Sequence, residues 1–212
     1  MATATKKNDK VIIYFSGHGD VEKQTLWQRG YLLAYDTPHN NFRNNAVRVE
    51  DLDDLVKTLS IGHESKVIII LDACRSGTLA NNGAQLTNEQ LSKQVENEVR
   101  ILSCKSDQKS LEGEQWGSGR GLFSYYLVNG LKGLADEQND FVVTFEELKD
   151  YLQDNVKKAI AASDLSVRQN PVFVGDESFE LSEVDEPTLV ALNQEISALE
   201  APSVAMATRS PE

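Results

Sequence analysis

The chain has 212 residues, 40% of them hydrophobic, with a formal net charge of −12. That length and apolar content suffice for one α/β domain with a tail, and the acidic balance excludes a general nucleic-acid binder, which needs a basic face against phosphates. Two cysteines, Cys74 and Cys104, are too few for a disulfide scaffold, and reduced thiols in a reducing compartment are the simpler expectation.

The opening residues have no apolar stretch of the kind a secretory signal needs. The longest apolar runs, Val11 to Phe15 and Val67 to Leu71, are too short to span a bilayer. The expectation is a cytoplasmic protein with no membrane partner. Val11 to Phe15 is β-branched and aromatic without alternation, and Ser16-Gly-His-Gly19 punctuates its end. Val67 to Leu71 repeats the design and ends in Asp72-Ala-Cys-Arg-Ser-Gly77. Continuous apolar strands of this kind are buried on both faces, as in parallel sheets covered by helices.

Between these strands, Leu52, Leu55, Val56 and Leu59 fall at helical spacing, with acids near the start and Gly62 available as a stop. Val99 to Ser103 reads as a third strand. Gly121 to Leu131 reads as a helix that buries Leu122, Tyr125, Tyr126 and Leu131. Phe145 to Ala162 reads as a longer helix with Leu148, Tyr151, Leu152, Val156 and Ile160 on one face. Residues 80–98 are polar and read as a loop or a weak helix outside the core. The division expected is an N-terminal extension over 1–9, a domain over 10–180 and an acidic tail or linker over 181–212, with a short helix around Thr188 to Leu199. The order of elements predicts an α/β sandwich with a mostly parallel sheet.

Two sharp turns thus follow two buried strands, and they present His18 and Cys74. Ligands of open parallel sheets bind beyond the carboxyl ends of the strands, so the two residues can converge. A thiol is a good nucleophile only as thiolate, and an adjacent imidazole supplies the base. The backbone N–H groups of Gly19 and Cys74 are candidates to face a developing oxyanion. Taken singly, a cysteine after an apolar strand is a small buried hydrophobe and a lone histidine is a surface residue. The two motifs together point to chemistry.

Tyr14-Phe-Ser-Gly-His-Gly19 resembles the histidine motif of caspase-like cysteine peptidases, and Leu71-Asp-Ala-Cys-Arg-Ser-Gly77 resembles their cysteine motif. Leu102 to Ser110 and Gly119 to Tyr126 resemble the segments that follow in metacaspases and bacterial caspase-family proteins. The resemblance covers about residues 10–175. It implies a caspase-like three-layer sandwich and a cysteine-type endopeptidase in which His18 is the general base, Cys74 the nucleophile and Gly19 an oxyanion donor. Asp72 stands where true caspases, which cut after aspartate, have glutamine. A carboxylate there implies a peptide or protein substrate with Arg or Lys at the cut, and Asp107 is a second candidate acid of that substrate pocket. The plainer readings are a structural carboxylate at Asp72 and a solvated loop residue at Asp107.

The chain departs from the family in three places. The strand and helix that usually precede the histidine motif are not apparent, so a shortened sheet is expected. Asn81 and Asn82 stand roughly where an acid of the relatives' calcium site would follow the cysteine, so no cofactor is expected, with calcium as the alternative. The step Ser103-Cys104 replaces the commoner Ser-Gly. Asp136 to Glu147 carries acids at calcium-loop spacing with Phe141 at the glycine position; a helix start capped by Thr144, with Glu147 three residues on, explains the same letters. Cys104 is expected to be structural, His39 and His63 to be loop residues, and no spacing suggests zinc. Lys93 and Arg100 are candidate self-processing positions, against the plainer reading of an intact surface loop. The rival functions are a catalytically inactive caspase-like scaffold or regulatory domain, and an unrelated α/β domain in which Cys74 is inert.

Overall fold

A computed structural model of the chain describes residues 4–22, 26, 29–39, 41–73, 94, 96–105, 107–117, 119–163 and 167–200, and of 198–200 the backbone alone. In chain order the elements are β1 (Lys10–Val21), β2 (Gly30–Leu33), β3 (Ala46–Arg48), α1 (Val49–Lys57), β4 (Lys66–Ala73), β5 (Glu98–Leu102), β6 (Glu112–Gly113), β7 (Arg120–Gly121), α2 (Leu122–Asn129), β8 (Val142–Thr144), α3 (Phe145–Ala161), β9 (Val172–Val174), β10 (Glu180–Glu183) and α4 (Glu186–Glu200). Wider helical turns extend α1 over Thr58–Gly62 and α2 over Gly130–Leu134.

The central sheet has the order β3-β2-β1-β4-β5-β9. The two unalternating apolar runs, β1 and β4, lie at its middle and pair in parallel, as do β4 and β5. The pairs β1–β2, β2–β3 and β5–β9 are antiparallel. Strands β3, β1, β4 and β5 therefore point one way and β2 and β9 the other, which makes the sheet mostly parallel. Strand alternation divides the core. Val67, Ile69 and Leu71 pack with Val56 and Leu59 on the α1 side. Ile68, Ile70, Val99 and Ile101 pack with Phe123, Leu127, Leu148 and Leu152 of α2 and α3 on the other. Helices on both faces give the three layers, and they explain why β4 is apolar from Val67 to Leu71. Among the described residues, β1 is paired on its second edge only from His18 to Val21, by β2. No described helix is long and apolar enough to cross a membrane.

The structure revises four expectations. Strand β1 is not covered on both faces and does not stop at Ser16: Ile12 and Tyr14 are 61% and 52% exposed, and the strand runs on through His18 to Val21. Helix α2 buries Phe123 and Leu127 as well as Leu122, while Tyr125, Tyr126 and Leu131 are only partly covered. Residues 181–200 do not trail from the domain. Strand β10 pairs with β8, and Leu181, Val184 and Leu192 are buried. Gly133 makes that docking possible: its φ is +116°, and a Cβ there would come within 2.7 Å of a Val184 methyl. Finally, Arg100 lies within β5 at 4% exposure, ion-paired with Asp53 and Glu98. A scissile residue must reach an active site in extended, accessible form, so Arg100 is not a processing position; Lys93 lies outside the described residues.

Candidate active site

Among the described residues, the last pair of the parallel ladder between β1 and β4 is Gly17 with Ala73. His18 is the next residue of β1. It stands opposite Leu33 of β2, exposed, on the face that alternation shares with Tyr14 and Ser16. Gly19 follows, half-buried and opposite Leu32. Cys74, which follows Ala73 in the chain, lies outside the described residues together with residues 75–93.

Asp72 is the penultimate residue of β4, in register with Ser16 of β1, and it is 5% exposed. Its side chain turns to the α2 face. Ser110 Oγ donates to Oδ1 and Ser124 Oγ donates to Oδ2, each at 2.5 Å. Both hydroxyls are held in turn. Gln169 Nε2 donates to Ser110 Oγ at 3.2 Å. Tyr14 Oη lies 3.0 Å from Ser124 Oγ; since that serine's only proton goes to the carboxylate, the tyrosine is the donor. Asp72 makes no ion pair among the described residues.

Three features of the chain build this cradle. The β6–β7 ribbon closes Glu112 against Gly121, and Leu122 N–H donates to the Leu111 carbonyl, which brings Ser110 and Ser124 together. Gln169, 2% exposed, accepts from Leu111 N–H and donates to the Ser103 carbonyl, which ties the segment after β5 to the strand end. Gly121 precedes α2 with ordinary φ and ψ of −63° and 137°. Its bareness is therefore a matter of space: a Cβ there would sit 2.7 Å from Asp72 Oδ2. The carboxylate thus rests at the start of α2, where the helix dipole supplies roughly half a positive charge and no full cation.

Asp107 is exposed on the turn that follows β5, and the hydrogen-bond partners of Asp72 are Ser110 and Ser124. Cys104 is fully buried, its thiol 3.5 Å from the carbonyls of Ala73 and Gln108. His63 Nδ1 lies 2.8 Å from Thr5 Oγ1 in the loop before β4, and His39 is an exposed loop residue. Thr144 and Glu147 form a reciprocal capping box at the start of α3. Glu147 also accepts from the N–H groups of Glu137 and Gln138, and Asp136 accepts from those of Asp140 and Phe141. The acids of this loop thus hold its own amides, and no described group of three His, Cys, Asp or Glu side chains is arranged for a metal. Burial pushes the Glu147 carboxyl up, but the hydrogen bonds from Thr144, Gln138 and Glu137 outweigh it and hold the group below the ordinary carboxylate range.

Sequence reasoning named Asp72 but not the residues that hold it. Ser110 and Ser124 lie 38 and 52 positions away, at the end of one segment and within the other that carried the family resemblance; that was the available signal. No curated protein matches the chain. The family model of the caspase domain, peptidase family C14, matches residues 1–179. The match takes in β1 with His18, the cysteine motif, the Asp72 cradle and the sheet through β9, and so the chain belongs to the caspase-domain family.

Proposed function

We propose that the chain is a cysteine endopeptidase that hydrolyses peptide bonds after Arg or Lys, with His18 as general base and Cys74 as nucleophile. The support for the dyad is the register of β1 against β4. Gly17 and Ala73 are paired, and His18 and Cys74 are their immediate successors.

His18 takes the thiol proton of Cys74, and the thiolate attacks the scissile carbonyl. The N–H groups of Gly19 and Cys74 receive the charge that develops on its oxygen. The C–N bond breaks, His18 returns the proton to the departing amine, and a thioester remains. Water, deprotonated by His18, then releases the acid and restores the thiol.

The support for basic specificity is Asp72. A buried carboxylate without a cation is costly, and an ionised carboxylate offers about four acceptor positions, of which the two serines fill two. An arginine or lysine of the substrate is the missing partner. Asp107, on the turn leading to Ser110, is the outer acid of the same reading.

The test is peptide cleavage by purified chain beside Cys74→Ala and His18→Ala. Cleavage of an Arg peptide that vanishes in both folded variants is expected. Full activity in Cys74→Ala would remove the nucleophile assignment, and an inert wild-type chain would leave the scaffold reading.

A further inference from the structure

Each oxygen of Asp72 receives one serine proton, and each serine is itself held by a second donor. The outer donors come from elements far apart in the chain: Tyr14 from β1 and Gln169 from the segment before β9. We propose that Ser110 and Ser124 are specificity-positioning residues, which fix the Asp72 carboxylate so that one acceptor position stays open on each oxygen. The inference rests on the reading of Asp72 as the site for the substrate's basic residue.

The physical argument has three steps. Hydroxyls stabilise an anion without neutralising it, because they bring no formal charge. Two of them, one per oxygen, stop the carboxylate from rotating, and the bare Gly121 leaves clear the space beside Oδ2 that a Cβ, 2.7 Å away, would fill. A carboxylate fixed with one open site on each oxygen matches two parallel N–H groups of a planar guanidinium, whereas an ammonium meets it as a point charge. The serines therefore favour arginine over lysine. Chains of hydrogen bonds that polarise one another strengthen the effect, so Tyr14 and Gln169 act through the serines.

The experiment has a binding arm and a cleavage arm, both on the full chain. Benzamidine, a planar amidinium, is titrated by NMR into wild type, Asp72→Asn, Ser110→Ala, Ser124→Ala, Ser124→Thr and Tyr14→Phe; this needs no nucleophile. Expected are binding to wild type, loss in Asp72→Asn, weakening of roughly tenfold in each alanine variant, recovery to within about threefold in Ser124→Thr, and a smaller loss in Tyr14→Phe. Position 14 is exposed, so that variant reads out the network even where an interior serine variant does not fold. In cleavage of matched Arg and Lys peptides the loss falls on KM, and the Arg-to-Lys ratio declines toward one. Benzamidine binding that needs Asp72 but is unchanged in the serine and tyrosine variants overturns the positioning role and leaves the Asp72 reading standing. Wild type that binds no benzamidine, or Asp72→Asn that binds it as well as wild type, removes both. A serine loss equal for Arg and Lys, or confined to kcat, also contradicts the proposal.

Discussion

Asp53 and Asp72 are almost equally buried, at 4% and 5% exposure, yet the chain treats their charges in opposite ways. Asp53, on α1, receives Arg100 of β5 at 2.5 Å and Lys57, one turn on, at 2.6 Å. Glu98 completes the group by taking the other side of the Arg100 guanidinium and a hydroxyl from Ser60. Among the described residues, two acids and two bases meet here. Asp72 receives only hydroxyls and the start of a short helix. The difference separates a charge neutralised inside the fold from one that meets hydroxyls and no cation among the described residues. The first cluster binds α1 to β5; the second ends the strand that leads directly to Cys74.

The same substitution at the two positions separates these roles. Asp53→Asn leaves Arg100 and Lys57 short of a carboxylate in the interior. It should lower stability by about 3 kcal/mol, the scale for breaking a buried pair, as read from the denaturant midpoint, with kcat/KM per folded molecule unchanged. Asp72→Asn removes no cation's partner, and its amide still accepts from one serine. Stability should move by less than about 1 kcal/mol, while kcat/KM on Arg peptides falls at least tenfold, since about 1.4 kcal/mol already gives that factor. Equal stability losses at the two positions would erase the contrast.

Glu147 is a third kind of buried acid, held by amides. Glu147→Gln or Thr144→Ala should cost about 1 kcal/mol through the cap. The folded carboxyl lies below its ordinary value of 4.5. Its contribution is therefore fully present above that pH and is lost as pH falls through the lower folded value. Stability measured from pH 6 downward should decline in wild type and less steeply in Glu147→Gln; parallel curves would contradict the cap's role in acid stability. The smallest effect on activity is expected at Cys104. Its thiol is buried against the Ala73 and Gln108 carbonyls, and Cys104→Ala should leave kcat/KM within about twofold in folded protein.

Much of the scaffold was legible because its signals are local. The unalternating run in β4 announced a strand covered on both sides, whereas the similar run in β1 leaves Ile12 and Tyr14 exposed on one face; the spacing of Leu148, Leu152 and Val156 marked α3, whose start Thr144 and Glu147 cap. The Ser16-to-Gly19 punctuation did not end β1, which runs on to Val21 and pairs with β2 from His18 onward. The rest depends on contacts made across the chain. Helix α2 is apolar nearly all round, so periodicity did not separate buried Phe123 and Leu127 from partly covered Tyr125. The docking of Leu181 and Leu192 depends on a partner surface built around Gly133. Asp53 looks like any acid of a polar helix row until Arg100 arrives from 47 positions away. Serine hydroxyls are common, and nothing local marks Ser110 and Ser124 as the ones that meet Asp72.

The most direct test of the account is a matched series of fluorogenic peptides that differ only in the residue before the scissile bond, assayed with wild type and with Asp72→Asn. The account predicts cleavage after Arg and Lys, none after Asp, and a loss of at least tenfold on the basic peptides in Asp72→Asn. Cleavage after Asp with none after Arg or Lys would contradict it, since a buried carboxylate with no cation beside it repels an acidic side chain.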